Sequence, residues 1–355
     1  MGHHETVSLR VTTGPSALEA TSARADGRAF LAQPDWFACL VRSGMSAAIR
    51  PRVYALGTGA EAAFLAAWTD AEARRLTGLT TYYSLAFPFS SPYGAPDPDV
   101  DRFPTIAAYI AAERPRWRRL TFSHASAHEA ETLTTHLKAQ GYVARREPHT
   151  VVWWTSTAGR SYTDYLDDLP GQLRNTLVRR ERRALRAGLT YELHQTAPPP
   201  VLRSYQDVYA ASWKPSEAYP GFIPDLCATA AQHGALRLGL VFDGETPIAA
   251  QIWLLSGHTA HIYKLAQADA ADTYSAGTLL TAWMLRDVGF SDNVDTVTFG
   301  TGDEPYKAMW MTHRDVLYAV EAGPETSITG LKLRGAPLKR LIAARLRRTL
   351  GRIDR

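Results

Sequence analysis

The clearest periodicity in the chain lies between Leu236 and Ala268. Three largely apolar runs, "LRLGLVF", "TPIAAQIWLLS" and "TAHIYKLAQA", are separated by Asp243-Gly244 and Gly257-His258. Asp-Gly suits a two-residue hairpin, because both central residues of a type I′ turn need positive φ. The pattern predicts a three-stranded antiparallel meander. Directly after it, "DTYSAGTLLTAWML" (Asp272–Leu285) puts Leu279, Leu280, Trp283 and Met284 at helical spacing. That helix opens on small residues. Its first N–H groups therefore go to a bound anion or to an ordinary cap.

Upstream, "LPGQLRNTLVRRERRALRAGL" predicts a helix between Pro170 and Gly188, with Leu173, Leu177, Ala184 and Leu185 facing inward. "LTYELHQ" reads as a strand, and helices are expected near 201–213 and 223–232. After the glycine-bearing helix come a strand at "VDTVTFG", a short helix at "EPYKAMW" and a strand at "VLYAVEA". The first half alternates too. "QPDWFACLVRSG" predicts a short helix; "IRPRVYALG", "EAAFLAAWT" and "LTGLTTYYS" predict strands. A helix near 103–113, the strand "RWRRLTFSHAS", the helix "AHEAETLTTHLKAQG" and a strand over 142–155 complete it. "STAGRSYTDY" (Ser156–Tyr165) is small, polar and turn-prone, and marks the expected boundary. The units expected are 1–158, 159–325 and a basic tail, 326–355.

Composition narrows the class. Of the 355 residues, 45% are apolar and 21% charged, as in soluble globular proteins, and no apolar run reaches the length of a membrane helix. Cys39 and Cys227 stand alone, outside any metal-ligand spacing, and no signal-peptide pattern opens the chain. A reducing cytoplasm is the expected compartment, with no metal cofactor. The net charge of +4 conceals an asymmetry. Residues 332–355 hold nine Lys/Arg and one Asp, whereas the rest holds 30 Lys/Arg against 34 acids. Leu338, Leu341, Ile342 and Leu346 give this tail an apolar stripe. It reads either as a helix packed on the body or as a surface for anionic lipid, an acidic carrier protein or RNA. His124 and His128 lack the intervening Glu of a zincin motif, "GTGDEPYK" is no phosphate-binding Walker loop, and "FSHAS" is no nucleophile elbow.

The order strand, two helices, meander, helix, strand–helix–strand resembles the GNAT acyltransferase fold. Two such units in tandem resemble the double-GNAT group of Fem-type transferases and CelD-like proteins of polysaccharide clusters. The likeness rests on "LRNTLVRRERRALRAG", "YSAGTLL" and "FGTGDEPYKAMW", with "LTGLTTYYS" a looser match in the first unit. It implies an α+β fold: two tandem GNAT-like units, each a mixed, mostly antiparallel sheet flanked by helices, plus a basic C-terminal helix. It implies an acyl-CoA or phosphopantetheine-linked acyl donor and an amine acceptor: an amino acid, a peptide side chain or an amino sugar. Donor contacts would come from Lys264, Ala266, Tyr274, Ser275, Ala276, Gly277 and Thr278. The segment "ADTYSAGT" has one glycine and no leading Gln or Arg, unlike the family's fuller Q/R-x-x-G-x-G/A pattern, so a carrier protein or a tRNA fits as donor equally well.

The same resemblance nominates Tyr306 as the acid for a leaving thiolate. Lys307 would steady an oxyanion or phosphate, and Asp303 and Glu304 are base candidates with Asp295 behind them. Trp213, Lys214 and Tyr219, in the proline-broken "SWKPSEAYPGF", are candidates for the substrate pocket. Arg174, Arg179, Arg180 and Arg183 form either a solvated face, a docking face for an acidic acyl-carrier protein or, less favoured, a tRNA contact. The basic tail is a candidate for peripheral membrane contact. Two alternatives stand beside acyl transfer: a Fem-type, tRNA-dependent aminoacyl transferase, and a non-catalytic accessory protein of polysaccharide biosynthesis.

Overall fold

The computed structural model describes residues 9–14, 17–18, 29–57, 62–80, 83–85, 87–90, 102–269, 273–290 and 294–335. The chain opens with strand β1 (Leu9–Thr13), helix α1 (Pro34–Ser43) and strands β2 (Arg50–Leu56), β3 (Ala63–Asp70), β4 (Arg75–Gly78) and β5 (Phe89–Ser90). Helix α2 (Arg102–Ala112), strand β6 (Arg119–Ala125), helix α3 (Ala127–Ala139) and the long strand β7 (Tyr142–Ser156) follow. Helices α4 (Tyr162–Asp168) and α5 (Gly171–Ala187) lead to β8 (Thr190–His194), α6 (Pro199–Ala210) and α7 (Phe222–Gln232). Then come β9 (Leu236–Asp243), β10 (Thr246–Ser256), β11 (Thr259–Gln267), α8 (Ala276–Met284), β12 (Thr296–Thr301) and β13 (His313–Pro324).

The described residues fall into two compact units, those within 1–21, 48–149 and 316–355 and those within 22–47 and 150–315. A single cut at residue 158 misses this interleaving, and strand pairing supplies the reason. In the first unit the strands run β1-β2-β3-β4-β6-β13, with β5 on β3, and β13 closes the sheet antiparallel to β6. In the second they run β7-β12-β11-β10-β9-β8, closed by the end of β7 antiparallel to β12. Each sheet is thus completed by a strand from the other half of the sequence. Of the predicted basic C-terminal helix, residues 328–335 are helical; 336–355, with the stripe of Leu338, Leu341, Ile342 and Leu346, lie outside the described residues.

Both cores follow the sequence periodicity. In the first unit, Ile106 and Ile110 of α2 and Leu133 and Leu137 of α3 are buried with Leu120 and Phe122 of β6. In the second, Leu279, Leu280 and Met284 of α8 are buried with Trp253 and Val241. Burial of each such side chain contributes about 1.5–3 kcal/mol. Helix α8 approaches β9 closely because position 239 is glycine: a Cβ there would stand 2.6 Å from Met284 Sδ and 3.0 Å from Leu280 Cδ1.

Helix α5 ends where Gly188 adopts φ 72°, a left-handed cap. Leu185 is a correction: it is 70% exposed, because the buried stripe runs through Leu173, Leu177 and Ala184 instead. The expected boundary, 156–165, lies inside the second unit. Ser161 caps α4 in a reciprocal capping box with Asp164, and Tyr165 is buried with its hydroxyl donating to the carbonyl of Trp310. Ser161→Ala is expected to lower the unfolding free energy by about 1 kcal/mol. Leu185→Ala is expected to stay within about 0.5 kcal/mol. Denaturant titration measures both, and a larger loss at Leu185 would mean that α5 packs on that face.

Candidate active site

The site begins where two parallel strands part. β11 pairs with β12 only through Thr259–Thr296, Ala260–Val297 and His261–Thr298. On its other edge β11 stays paired with β10 through Gln267, with a bulge where the register shifts beside Ile252 and Trp253. Past His261 the strands splay. The resulting cleft, 470 Å³ in volume, has Leu265, Ala266 and Gln267 on one wall and Phe299, Glu304 and Tyr306 on another. Gly277 and Thr278 of α8 and Trp213 and Lys214 of the loop after α6 also line it. Of the predicted site residues, the fold therefore gathers Ala266, Gly277, Thr278, Glu304, Tyr306, Trp213 and Lys214 around one opening.

The start of α8 differs from the expected open cradle. The Gly277 N–H donates to Gln267 Oε1 at 2.8 Å, and the N–H groups of Thr278 and Leu279 both reach the Ser275 carbonyl. The Gln267 side-chain amide thus takes the N–H that a bound anion would use. Ser275 adopts φ 55°, unusual for a residue with a Cβ, and its side chain does not cap the helix. Ala276 is buried. Tyr274 lies under Arg183, whose guanidinium carbon is 5.6 Å from the ring centroid, and Arg180 Nη1 donates to the Thr273 carbonyl at 2.5 Å. Behind the glycine, Gln251 of β10 donates to the Gly277 carbonyl and to Thr281 Oγ1, and accepts from Trp253 Nε1. Two glutamines therefore fix the position of this helix end.

Tyr306 packs edge-on against Phe299, with ring centroids 5.5 Å apart. Burial, with the nearby charge of Glu304, pushes its hydroxyl up to about 12, so it keeps its proton at neutral pH. Burial also acts to raise Glu304, but the Lys307 hydrogen bond and charge outweigh it and hold the carboxyl below its ordinary range. Lys307 is buried, with Nζ donating to the Thr301 carbonyl at 2.7 Å and paired with Glu304 at 2.8 Å. It braces the loop rather than facing the cleft. Asp303 is held instead by Arg314 and by Trp153 Nε1, which keep its carboxyl below the usual range, and it is not among the residues lining the cleft.

Three other candidates lie elsewhere. Asp295 sits beside His258 at the start of β11, the far end of that strand from the cleft, at 3.6 Å from His258 Nδ1. Lys264 points to the opposite side of β11 from Leu265, as strand alternation requires, and pairs with Glu217 at 2.9 Å with both side chains mostly buried. Tyr219 accepts a main-chain bond from Phe222 N and lines neither cavity on this side. Lys214 joins two spaces. It lines the cleft and also a 370 Å³ cavity walled by Tyr205, Tyr209, Glu217 and Ile223. Its Nζ donates to the Leu265 carbonyl, and burial together with the Lys264 charge pulls its pKa down. Trp213 is 65% exposed at the cleft rim.

Gln267, Gln251 and Glu217 were not singled out from the sequence. A signal existed for Gln251, a lone amide inside the apolar run "TPIAAQIWLLS". Burying such a group is costly unless it is bonded, which points to a fixed structural duty.

Residues 171–308 match the family model described as an acetyltransferase (GNAT) domain. That match covers 138 of the 355 residues, all within the second unit. Among solved structures, FemX is similar at 10% identity, with 87% of this chain and 96% of that chain covered and a TM-score of 0.57. A conserved protein of unknown function from Bacteroides thetaiotaomicron is similar at 10% identity, covering 87% and 95%, with a TM-score of 0.50. At such identities the likeness concerns the fold alone, which is shared with FemX over most of both chains. No curated protein sequence matches the chain.

The Gln267–Gly277 bond yields one direct expectation. Gln267→Ala should bind inorganic pyrophosphate about fivefold more tightly than the parent, because one competing hydrogen bond at Gly277 is removed. Isothermal titration calorimetry measures this, and equal affinity would remove Gln267 as a competitor for that amide.

Proposed function

We propose that the second unit transfers an acyl group from a pantetheine-borne thioester to an amine. The observation that carries this reading is the splayed parallel pair: β11 offers an edge no longer paired with β12, facing a tyrosine that stays protonated. An extended, amide-bearing pantetheine arm suits such an edge, since it can add main-chain hydrogen bonds as a strand would. The diphosphate of coenzyme A fits less directly, because Gln267 occupies the Gly277 N–H and has to release it first. A carrier-protein donor, with one phosphate on its arm, asks less of this point.

The chemistry asks for positioning more than for reactive groups. An acceptor amine attacks the thioester carbonyl, the C–S bond breaks, and the departing sulfur takes a proton. Tyr306 holds that proton on its hydroxyl at the cleft. Glu304, ionised and lining the same cleft, is the group able to receive the proton that the amine gives up. Trp213 and Lys214 flank the opening on the side of the second cavity, which suits an acceptor or an acyl chain.

One observation favours a second reading, aminoacyl transfer from tRNA. Arg179, Arg182, Arg183 and Arg186 are exposed along α5, whose Leu173 lines the cleft. Nucleic acid on that face would bind with a steep salt dependence, which a small thioester would not show.

The deciding experiment follows free thiol release and product mass with acyl-CoA of several chain lengths, acyl-carrier protein and aminoacyl-tRNA, each with a panel of amines. Thioester-dependent product supports the proposal, product with tRNA alone replaces it, and product with no donor leaves an accessory protein that has kept the fold. In the first case, Tyr306→Phe should lower kcat by about 10²-fold or more, with little change in the KM for donor. Because burial pushes the Tyr306 hydroxyl up to about 12, its ionisation should not lower the rate at mildly alkaline pH.

A further inference from the structure

We propose that the first unit carries a docking site for an anionic lipid surface, built on the cations around a cavity of 780 Å³. Arg75, Arg118, Arg119 and Lys332 line this cavity. Arg75 and Arg119 are direct partners in the parallel ladder between β4 and β6. Like charges placed opposite one another destabilise a sheet. The one acid in the lining, Glu321, is taken by Arg119 at 2.5 Å. Arg75, Arg118 and Lys332 make no ion pair and no side-chain hydrogen bond among the described residues. Arg75 stands opposite Asp70 in the ladder with β3 but forms no ion pair with it, and three cations without an ion partner around one hollow favour an external anion.

The rim identifies the kind of anion. Ile328, which lines the cavity, is 73% exposed, and Leu331, one helical turn on, is 60% exposed. Spacing of three puts both on one face of the helix over 328–335, beside Lys332. A soluble phosphate compound has no use for exposed isoleucine and leucine. A bilayer does: apolar side chains enter the acyl boundary while basic ones meet headgroup phosphates. The sequence beyond Lys332 continues in the same sense, with nine Lys/Arg against one Asp over 332–355. This site is separate from the acyl-transfer reading and does not depend on it.

The test is cosedimentation of the full chain with vesicles of equal parts phosphatidylglycerol and phosphatidylcholine, against phosphatidylcholine alone. The chain should pellet with the anionic vesicles and not with the neutral ones. R75Q/R118Q, which leaves every residue of 332–355 in place, should weaken binding about fivefold for each arginine removed. Its melting temperature should stay level or rise, since repulsion is relieved. I328S/L331S should weaken binding to the anionic vesicles as well. Three results overturn the proposal: equal binding to both vesicles, anionic-vesicle binding that both double variants leave intact, or stabilisation by inorganic phosphate that R75Q/R118Q abolishes while vesicles are ignored. The last would assign the same cations to a soluble anion.

Discussion

The ladder between β11 and β12 lasts three residues, and the arrangement of the second unit follows from its early end. A main-chain carbonyl or amide left without a strand partner has to find another donor or acceptor. Lys214 Nζ supplies the Leu265 carbonyl. Further along the same strand, Ala268 N turns back to the Ile248 carbonyl, which keeps β11 tied to β10 while it leaves β12. The wedge that opens is filled on one side by the start of α8 and on the other by the loop from Thr301 to Trp310. Had the ladder continued, the backbone of residues 265–267 would be consumed by hydrogen bonds, and no edge would face a ligand.

The side chains around this wedge sort into braces and groups with shifted protonation. Lys307 is a brace: its ammonium bonds the Thr301 carbonyl and fixes Glu304. The Arg314–Asp303–Trp153 cluster does the same on an exposed side of the loop. Gln251 is a brace on the helix, and with both its amide atoms bonded it costs little to bury. Tyr306 and Lys214 differ. The tyrosine keeps a proton it can give, and the lysine carries a charge that its surroundings disfavour, through burial and the neighbouring Lys264. Both shifts have burial as their first cause, and both groups line the same cleft.

Much of the second unit was legible because its signals are local. The turns at Asp243-Gly244 and Gly257-His258, the proline and glycine ends of α5 and the periodicity of α8 each act within a few residues, and each element formed where expected. What was not legible is what side chains do across distance. "YSAGTLL" says that a helix begins on small residues, but it cannot say that Gln267, ten residues earlier, accepts a hydrogen bond from the Gly277 N–H through its Oε1. The cluster "GTGDEPYK" places four polar groups together, yet only pairing with Thr301, Arg314 and Trp153 separates Lys307 and Asp303 from Tyr306 and Glu304. Leu185 shows the same limit. A helix of this many arginines offers several apolar stripes, and packing selects one.

The exchange of closing strands has a consequence for how the chain is made. β6 waits at the edge of the first sheet for β13, whose pairing residues Tyr318–Ala322 leave the ribosome almost two hundred residues later. At about 5–20 residues per second that is roughly 10–40 seconds of synthesis. Throughout that interval the nascent first unit has an open strand edge, the feature most prone to pairing with a wrong neighbour. Translation speed over the second half of the message, and not only the amino-acid sequence, therefore bears on how much of the first unit reaches its own fold.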